Sequence, residues 1–540
     1  MDDPSQVPAP VAIPPAALPV RAVVVAGLVL GAAGDILLRS DGRQGLNIFL
    51  LFAGLGAAVW ALSRSTRLAL SREALMTLGV GVAFAATLVL RASEALQFLA
   101  FLAAAVAFAL PALRAGGAWL RRSSVSHQME AVLGAAANGF AGAFRLIGAP
   151  LAGRSGHGAP APGSGEPVAA DRHPAWAVLR GLLLALPFLF LFGALFMSAD
   201  RMFSDLVTDI FRLDFEAIAS HLIVTTALTW LACGYLTGFL TGTRPVEVPD
   251  AFRMRPRVGI VEIGIALALV DILFAAFVAV QFRYLFGGSG LVEVTPGLTY
   301  AEYAREGFGQ LALACALVLP SLLAADWLLE ARRRRDDLVF RLLGGLLLLL
   351  LLVIVASALQ RVRAYQAAYG LTESRFYGAL FLGWLTLLTA WVATTVLRGR
   401  RERFAFPALV SGFAFVALLV AVNPDARIAR TNLERAGDVP TETDGSAPTV
   451  DARYLASLSA DAVPTLMEAL PALAPPSRCV AARGLLQRWG PAGTHEPEWR
   501  SWNWSEARAR EVVSSEAEAL RALVADPGVT GAGACPPGGR

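Results

Sequence analysis

The chain has 540 residues, 56% of them hydrophobic and 16% charged. Soluble domains carry about a quarter charged residues, so the composition excludes an ordinary water-exposed globule and points to a surface in lipid, which cannot solvate charge. All 46 basic side chains are Arg, against 42 acids, for a net charge of +4. They stand in short clusters between apolar runs, where topology determinants belong, and nothing in them suggests a nucleic-acid partner.

Residues 1–18 are Pro-rich, carry Asp2 and Asp3, and lack the basic stretch of a cleaved signal peptide; they read as a disordered tail. Crossing the hydrocarbon takes about 20 mostly apolar residues. Eleven runs qualify: 19–38, 45–62, 73–91, 94–113, 176–198, 219–242, 258–284, 307–328, 338–360, 375–397 and 405–422. The expected fold class is therefore all-α, a polytopic transmembrane helical bundle of about 11 spans. The first four spans form one membrane region (19–113) and the last seven a second (176–436). Between them, 114–175 holds an amphipathic helix with Met129, Leu133, Phe140 and Phe144 among Arg121, Arg122 and Arg145, followed by a Gly/Pro linker. Residues 200–216 place acids among Met202, Phe203, Leu206 and Ile210 at helical spacing and read as an acidic interfacial helix.

Arg clusters follow every even-numbered span: Arg64, Arg67 and Arg72; Arg114, Arg121 and Arg122; Arg253, Arg255 and Arg257; Arg332 to Arg335; Arg398, Arg400, Arg401 and Arg403. Cytoplasmic loops are enriched in Arg. The N-terminus is expected in the cytoplasm and the C-terminus outside. After the last span, 437–449 is a polar linker, 437–526 as a whole forms a small α-helical extracytoplasmic domain, and 527–540 is a flexible tail. Cys233 and Cys315 lie in apolar runs; Cys479 and Cys535 lie in the outer region, where either a disulfide or two free thiols fits. No Cys/His spacing suits a metal, and no cofactor motif occurs.

Ionisable residues inside spans are functional candidates by default. Asp35, Arg180, Glu262, Asp271 and Arg341 qualify; the two Arg and Glu262 sit near span ends and can snorkel. Asp271 is mid-span, where a carboxylate costs about 3 kcal/mol on insertion scales. It makes either a helix–helix hydrogen bond or a coupling-proton or solute site. A second group gathers at the outer ends of spans: Arg283, Tyr300, Glu302, Tyr303, Arg305, Arg361, Glu373, Arg375, Asn423 and Asp425. It serves either as helix caps and inter-loop salt bridges or as a polar pocket.

These segments, QFRYLFGG, GLTYAEYAREGF, YGLTESRFYG and NPDARIARTNLER, resemble the hallmark stretches of DUF4173, a family of bacterial membrane proteins without known activity. The resemblance covers about residues 180–435. It implies a bacterial plasma-membrane protein and no catalytic residues. Three functions compete: an envelope sensor, scaffold or assembly factor, a transporter or channel using Asp271, and a membrane enzyme acting on lipid-linked substrates at the outer face, with Asp200, Asp205 and Asp209 as its acids. The expected partners are the bilayer and other envelope proteins met through the C-terminal region.

Overall fold

The computed structural model describes residues 18–39, 43–68, 70–111, 120–148, 215–242, 258–286, 308–329, 334–438, 450–492 and 498–525, with a few positions between 185 and 200. Among them the secondary structure is helical, apart from one isolated bridge between Val258 and Leu329. The membrane part consists of α1 (Val20–Leu38), α2 (Leu46–Ser65), α3 (Arg72–Leu90), α4 (Glu94–Ala109), α5 (Val125–Gly148), α6 (Phe215–Thr241), α7 (Ile260–Phe286), α8 (Phe308–Leu328), α9 (Arg334–Tyr369), α10 (Glu373–Thr395) and α11 (Ala405–Val422). Beyond it come α12 (Pro424–Asp438), α13 (Ala452–Ser457), α14 (Val463–Ala469), α15 (Pro475–Trp489), α16 (Trp504–Ser515) and α17 (Ala517–Ala525).

Nine helices among the described residues are long and apolar enough to span a bilayer. They are α1–α3 and α6–α11, and each coincides with an expected span. The fourth expected span is the shorter α4, with 16 helical residues before a single tight turn. The fifth, 176–198, falls almost wholly outside the described residues, as do Arg180 and the acidic stretch 201–214. Large apolar side chains cover the outside of the spans: Ile272 and Leu273 of α7 are 65% and 66% exposed. Such a belt is costly in water and at home in lipid.

Small residues set the packing. Gly27, Gly31 and Gly34 on α1 lie against α6 so closely that a Cβ on Gly31 would sit 2.0 Å from Thr229 Oγ1 and 2.7 Å from the Thr225 carbonyl. On its other side α6 meets α5, where Gly142 and Gly234 allow backbone to touch backbone and Gly238 makes room for the Asn138 side chain. Lipid tails are as apolar as Leu, so helices in a membrane gain little from burying large side chains; close approach at small residues adds dispersion contacts instead. Met129, Leu133 and Phe140 of α5 are exposed, and the exposed Phe144 ring sits edge-on to Trp230 of α6 with centroids 4.7 Å apart. A larger apolar core joins α7–α10 through Leu322, Leu347, Leu351 and Leu382.

The spans end on two rims. On one lie the Arg-bearing turns. Glu73 at the start of α3 accepts the Leu120 N–H at 3.0 Å, and Trp391 donates to the Arg403 carbonyl at 3.3 Å. On the other rim lie the turns α1–α2, α3–α4, α9–α10 and α11–α12, covered by α13–α17. These short helices share an apolar core (Leu455, Leu466, Leu485, Val513) that continues into Ile428 and Ala429 of α12. At about 1.5 Å per residue, the 36 residues of α9 measure about 54 Å, against roughly 30 Å of hydrocarbon. Its last turns, with Arg361, Tyr365 and Tyr369, therefore stand in the rim layer.

Candidate functional site

The polar residues of that second rim are held by local sequence. Asn423 ends α11 in the left-handed conformation (φ 53°) that Asn tolerates. Pro424 then opens α12 at its first position, where a missing N–H costs nothing. Asp425 follows and is driven into the interior, with no solvent exposure. At the α9–α10 turn, Gly370 takes φ 79°. Asn432 clamps the next residue from both sides, accepting the Leu371 N–H at 2.7 Å and donating to its carbonyl at 2.8 Å. Arg375 folds back to donate to the Gly370 carbonyl at 2.7 Å, and its guanidinium lies 4.0 Å over the Tyr365 ring.

The C-terminal helices are fastened to these turns by buried acids. Asp461, its side chain 1% exposed, accepts the N–H groups of Ala92 (2.8 Å) and Ser93 (3.2 Å) and meets the Arg91 guanidinium at 3.4 Å. The Ser505 hydroxyl lies 2.7 Å from the same carboxylate and 2.8 Å from the Leu90 carbonyl. The four N–H groups at a helix start lack intrahelical partners, so Asp461 acts as a cap for α4 supplied from 368 residues away. Asn503 does the converse for α3, donating to the Leu88 and Arg91 carbonyls at 2.8 Å each while its oxygen caps α16 at the Glu506 N–H. Leu46 and Asn47, at the start of α2, donate their N–H groups to the carbonyls of Trp502 and Arg500.

Between these clasps lies a pair of acids. Asp425 Oδ2 accepts the Ser459 N–H at 3.2 Å. Its Oδ1 is buried and has no hydrogen-bond partner among the described residues, and the Glu373 carboxyl is its neighbour. Two buried carboxyls side by side disfavour charging both. Burial, with the charge of Asp461 behind it, pushes Asp425 above its ordinary value, against the Ser459 bonds that pull it down. Tyr454 stands over the pair and accepts the Glu373 N–H at 3.0 Å; burial pushes its phenol up to about 12. Ser93 and Tyr377 share a further bond at 3.2 Å.

A carboxyl whose folded-state pKa is raised stabilises the fold fully below its unfolded pKa, and that contribution is lost as pH rises through the folded pKa. The clasp around Asp425 is thus expected to loosen with rising pH. Asp425→Asn, which keeps a donor opposite Glu373, flattens that dependence. Unfolding temperature measured against pH, in detergent, checks it; equal slopes for the two proteins refute the raised Asp425 carboxyl.

Of the residues singled out by sequence, Glu373, Arg375, Asn423 and Asp425 thus converge on one rim, and Arg361 stands on α9 nearby. Tyr300, Glu302, Tyr303 and Arg305 lie outside the described residues, as does the side chain of Arg283. Asp271 is 3% exposed within α7, and neither carboxylate oxygen has a partner among the described residues. Cys479 is buried in α15, and Cys535 lies outside the described residues. Sequence reasoning does not find Asp461, Asn503 and Ser505, whose roles exist only through contacts with distant turns. Among the described residues no group of three His, Cys, Asp or Glu side chains is placed to hold a metal.

Apolar helices, an exposed apolar belt and two polar rims define a multi-pass membrane protein with an all-helical fold. The chain belongs to the family described as domain of unknown function (DUF4153), whose model matches residues 74–469, more than half of its length. This corrects the resemblance to DUF4173. That resemblance rested on four short stretches at span ends, where Tyr, Arg and Asn recur in any bundle that must cap its helices at an interface. The match instead runs through whole helices, from α3 to α14, and takes in Glu373, Asp425 and Asp461. No curated protein and no solved structure matches the chain.

Proposed function

We propose that the protein is a membrane scaffold or sensor whose C-terminal helices form an extracytoplasmic platform on an eleven-span bundle. One observation carries this reading: the rim's polar side chains are spent on clasping α13–α17 to four inter-helix turns rather than left pointing into a cleft. The Arg-bearing turns on the opposite rim support a cytoplasmic N-terminus and an external platform. Such a platform would meet other envelope proteins, and Trp499 and Trp504, 57% and 53% exposed, are the contacts it offers. A photo-crosslinker in place of Trp499 in living cells is expected to capture a discrete envelope protein. Adducts confined to lipid would sink the reading.

The same orientation supports a Cys479–Cys535 disulfide. A membrane-impermeant maleimide applied to intact cells is expected to label Cys535 only after reduction. Labelling without reductant removes the disulfide, and no labelling with it removes the external C-terminus.

One observation favours proton-coupled transport as a second reading: the orphan carboxyl of Asp271. A buried acid without a donor persists by holding a proton. Dicyclohexylcarbodiimide, which couples to protonated carboxyls in apolar surroundings, is expected to label the wild type at α7 and to spare Asp271→Asn. Equal labelling of both would count against it.

A further inference from the structure

A second set of ionisable groups lies apart from the clasp, where α1 ends and α6 begins. Asp35, 5% exposed, sits one turn before the end of α1. Its Oδ1 accepts from Arg39 Nε at 2.8 Å, and its Oδ2 accepts from His221 Nδ1. Arg39 also donates to Ser220 at 3.0 Å, and its carbonyl accepts from Arg500. The carboxylate is thus already paired with a guanidinium, and the imidazole is its second partner.

This arrangement decides which nitrogen of His221 is available. The Asp35 carboxylate also accepts from Arg39, so Nδ1 is the donor to it, and in the neutral imidazole Nε2 then carries the lone pair. The side chain is 52% exposed, and no described residue bonds Nε2. A buried carboxylate that fixes tautomer and ring orientation is how proteins prepare an imidazole to take a proton. The α1–α6 seam around Gly27, Gly31 and Gly34 has no room for one helix to slide on the other, which keeps the pair in register.

The surroundings say what can reach it. Ile36 and Leu38 on α1, and Ile218, Leu222 and Ile223 on α6, are all exposed beside the pair. At the end of two spans they stand at the boundary between acyl chains and headgroups, the layer that holds the ester bonds of membrane lipids. A ligand arriving there is an amphiphile with its ester linkage at the depth of Nε2 and its polar head towards Arg39.

We propose that His221 is a general base for ester hydrolysis of an amphiphile entering from the bilayer, with Asp35 as its positioning residue. Nε2 takes a proton from water as the water oxygen bonds to the ester carbonyl carbon. The ester C–O bond then breaks, and the imidazolium returns that proton to the departing alkoxide. Acid and alcohol are the products, and water is the only co-reactant. This adds an activity to the scaffold reading and does not depend on it.

The test uses the full chain in lipid nanodiscs with a p-nitrophenyl ester of a long-chain acid as probe. General-base catalysis is worth about 10²–10⁴-fold, so His221→Gln is expected to lower the rate at least 100-fold. Asp35→Asn is expected to lower it while lowering the pH needed for half-maximal rate, because the imidazolium loses its carboxylate partner. Because Asp35→Asn can also disturb the α1–α6 seam, the nitrogen-15 resonances of His221 in the wild type give an independent reading. They are expected to show a protonated Nδ1 and a bare Nε2 at neutral pH. A rate unchanged by His221→Gln, or a protonated Nε2 beside a bare Nδ1, overturns the proposal and leaves Asp35–His221 as an interhelical bond only.

Discussion

Asp461→Ala is expected to detach the C-terminal helices from the bundle while leaving the spans folded. The substitution strips acceptors from the N–H groups of Ala92 and Ser93, from the Ser505 hydroxyl and from Arg91. Leaving a buried donor unpaired costs about 1–3 kcal/mol, more when the partner is charged, and breaking a buried ion pair from one side costs about 3–5 kcal/mol. These effects overlap at one carboxylate, so about 4 kcal/mol is the expected loss. That is a large part of the about 5–15 kcal/mol that holds a typical domain together. Limited proteolysis in detergent should release a fragment beginning between α12 and α13, with wild type resistant under the same conditions. Asp461→Asn keeps one acceptor oxygen and should fall between the two. Resistance of the Ala variant equal to wild type would show that the apolar core shared with Ile428 and Ala429 suffices without the clasp.

Gly234→Ala is expected to be nearly as damaging, for a steric reason. A Cβ at that position would lie 2.2 Å from the Gly139 carbonyl oxygen and 2.4 Å from that of Asn138. Both are backbone atoms and cannot rotate away, so α5 and α6 must separate along their seam. Overpacking costs about 1–3 kcal/mol, occasionally more, and this case belongs at the upper end. Gly79→Ala is the control: nothing lies within 4 Å of the new methyl, and helix propensity favours Ala over Gly by about 1 kcal/mol. Thermal unfolding in detergent should separate the two clearly. A Gly234→Ala protein as stable as Gly79→Ala would mean that α5 does not pack on α6 as described.

The spans were legible because a single physical demand, an apolar run matched to bilayer thickness, sets each of them independently of the rest. Nine appear where hydropathy puts them. Asp271 was legible for the same reason: a charge in such a run violates the demand. Glu373, Arg375, Asn423 and Asp425 stood out as polar residues beside turns, and two of them do the work of turns: Asn423 through local backbone rules, Arg375 by folding back on Gly370. The partnership of Asp425 with Glu373, and of both with Ser459 and Tyr454, depends on which turns become neighbours. Single-sequence patterns do not carry that information. The pairing of Asp35 with His221 is hidden likewise, by a sequence separation of 186, although a lone His at the polar end of an apolar run is a visible flag. The glycine seams were within reach of sequence: Gly27 and Gly31, like Gly234 and Gly238, have the four-residue spacing by which membrane helices approach closely.

Asn503 completes bonds to the end of α3 across 415 residues of chain, and that separation has a consequence in time. At about 5–20 residues per second of synthesis, the carbonyls of Leu88 and Arg91 wait roughly 20–80 s for their donor. Asp461 reaches the start of α4 with a comparable delay. The early helices must therefore be inserted and held with open ends while the intervening chain is made, and the segment after residue 450 closes them all together. Such long-range closure is slow, because loop entropy is spent before the contacts form. A nascent chain halted before residue 450 would carry complete spans and an uncapped rim, the state most exposed to chaperones and membrane proteases.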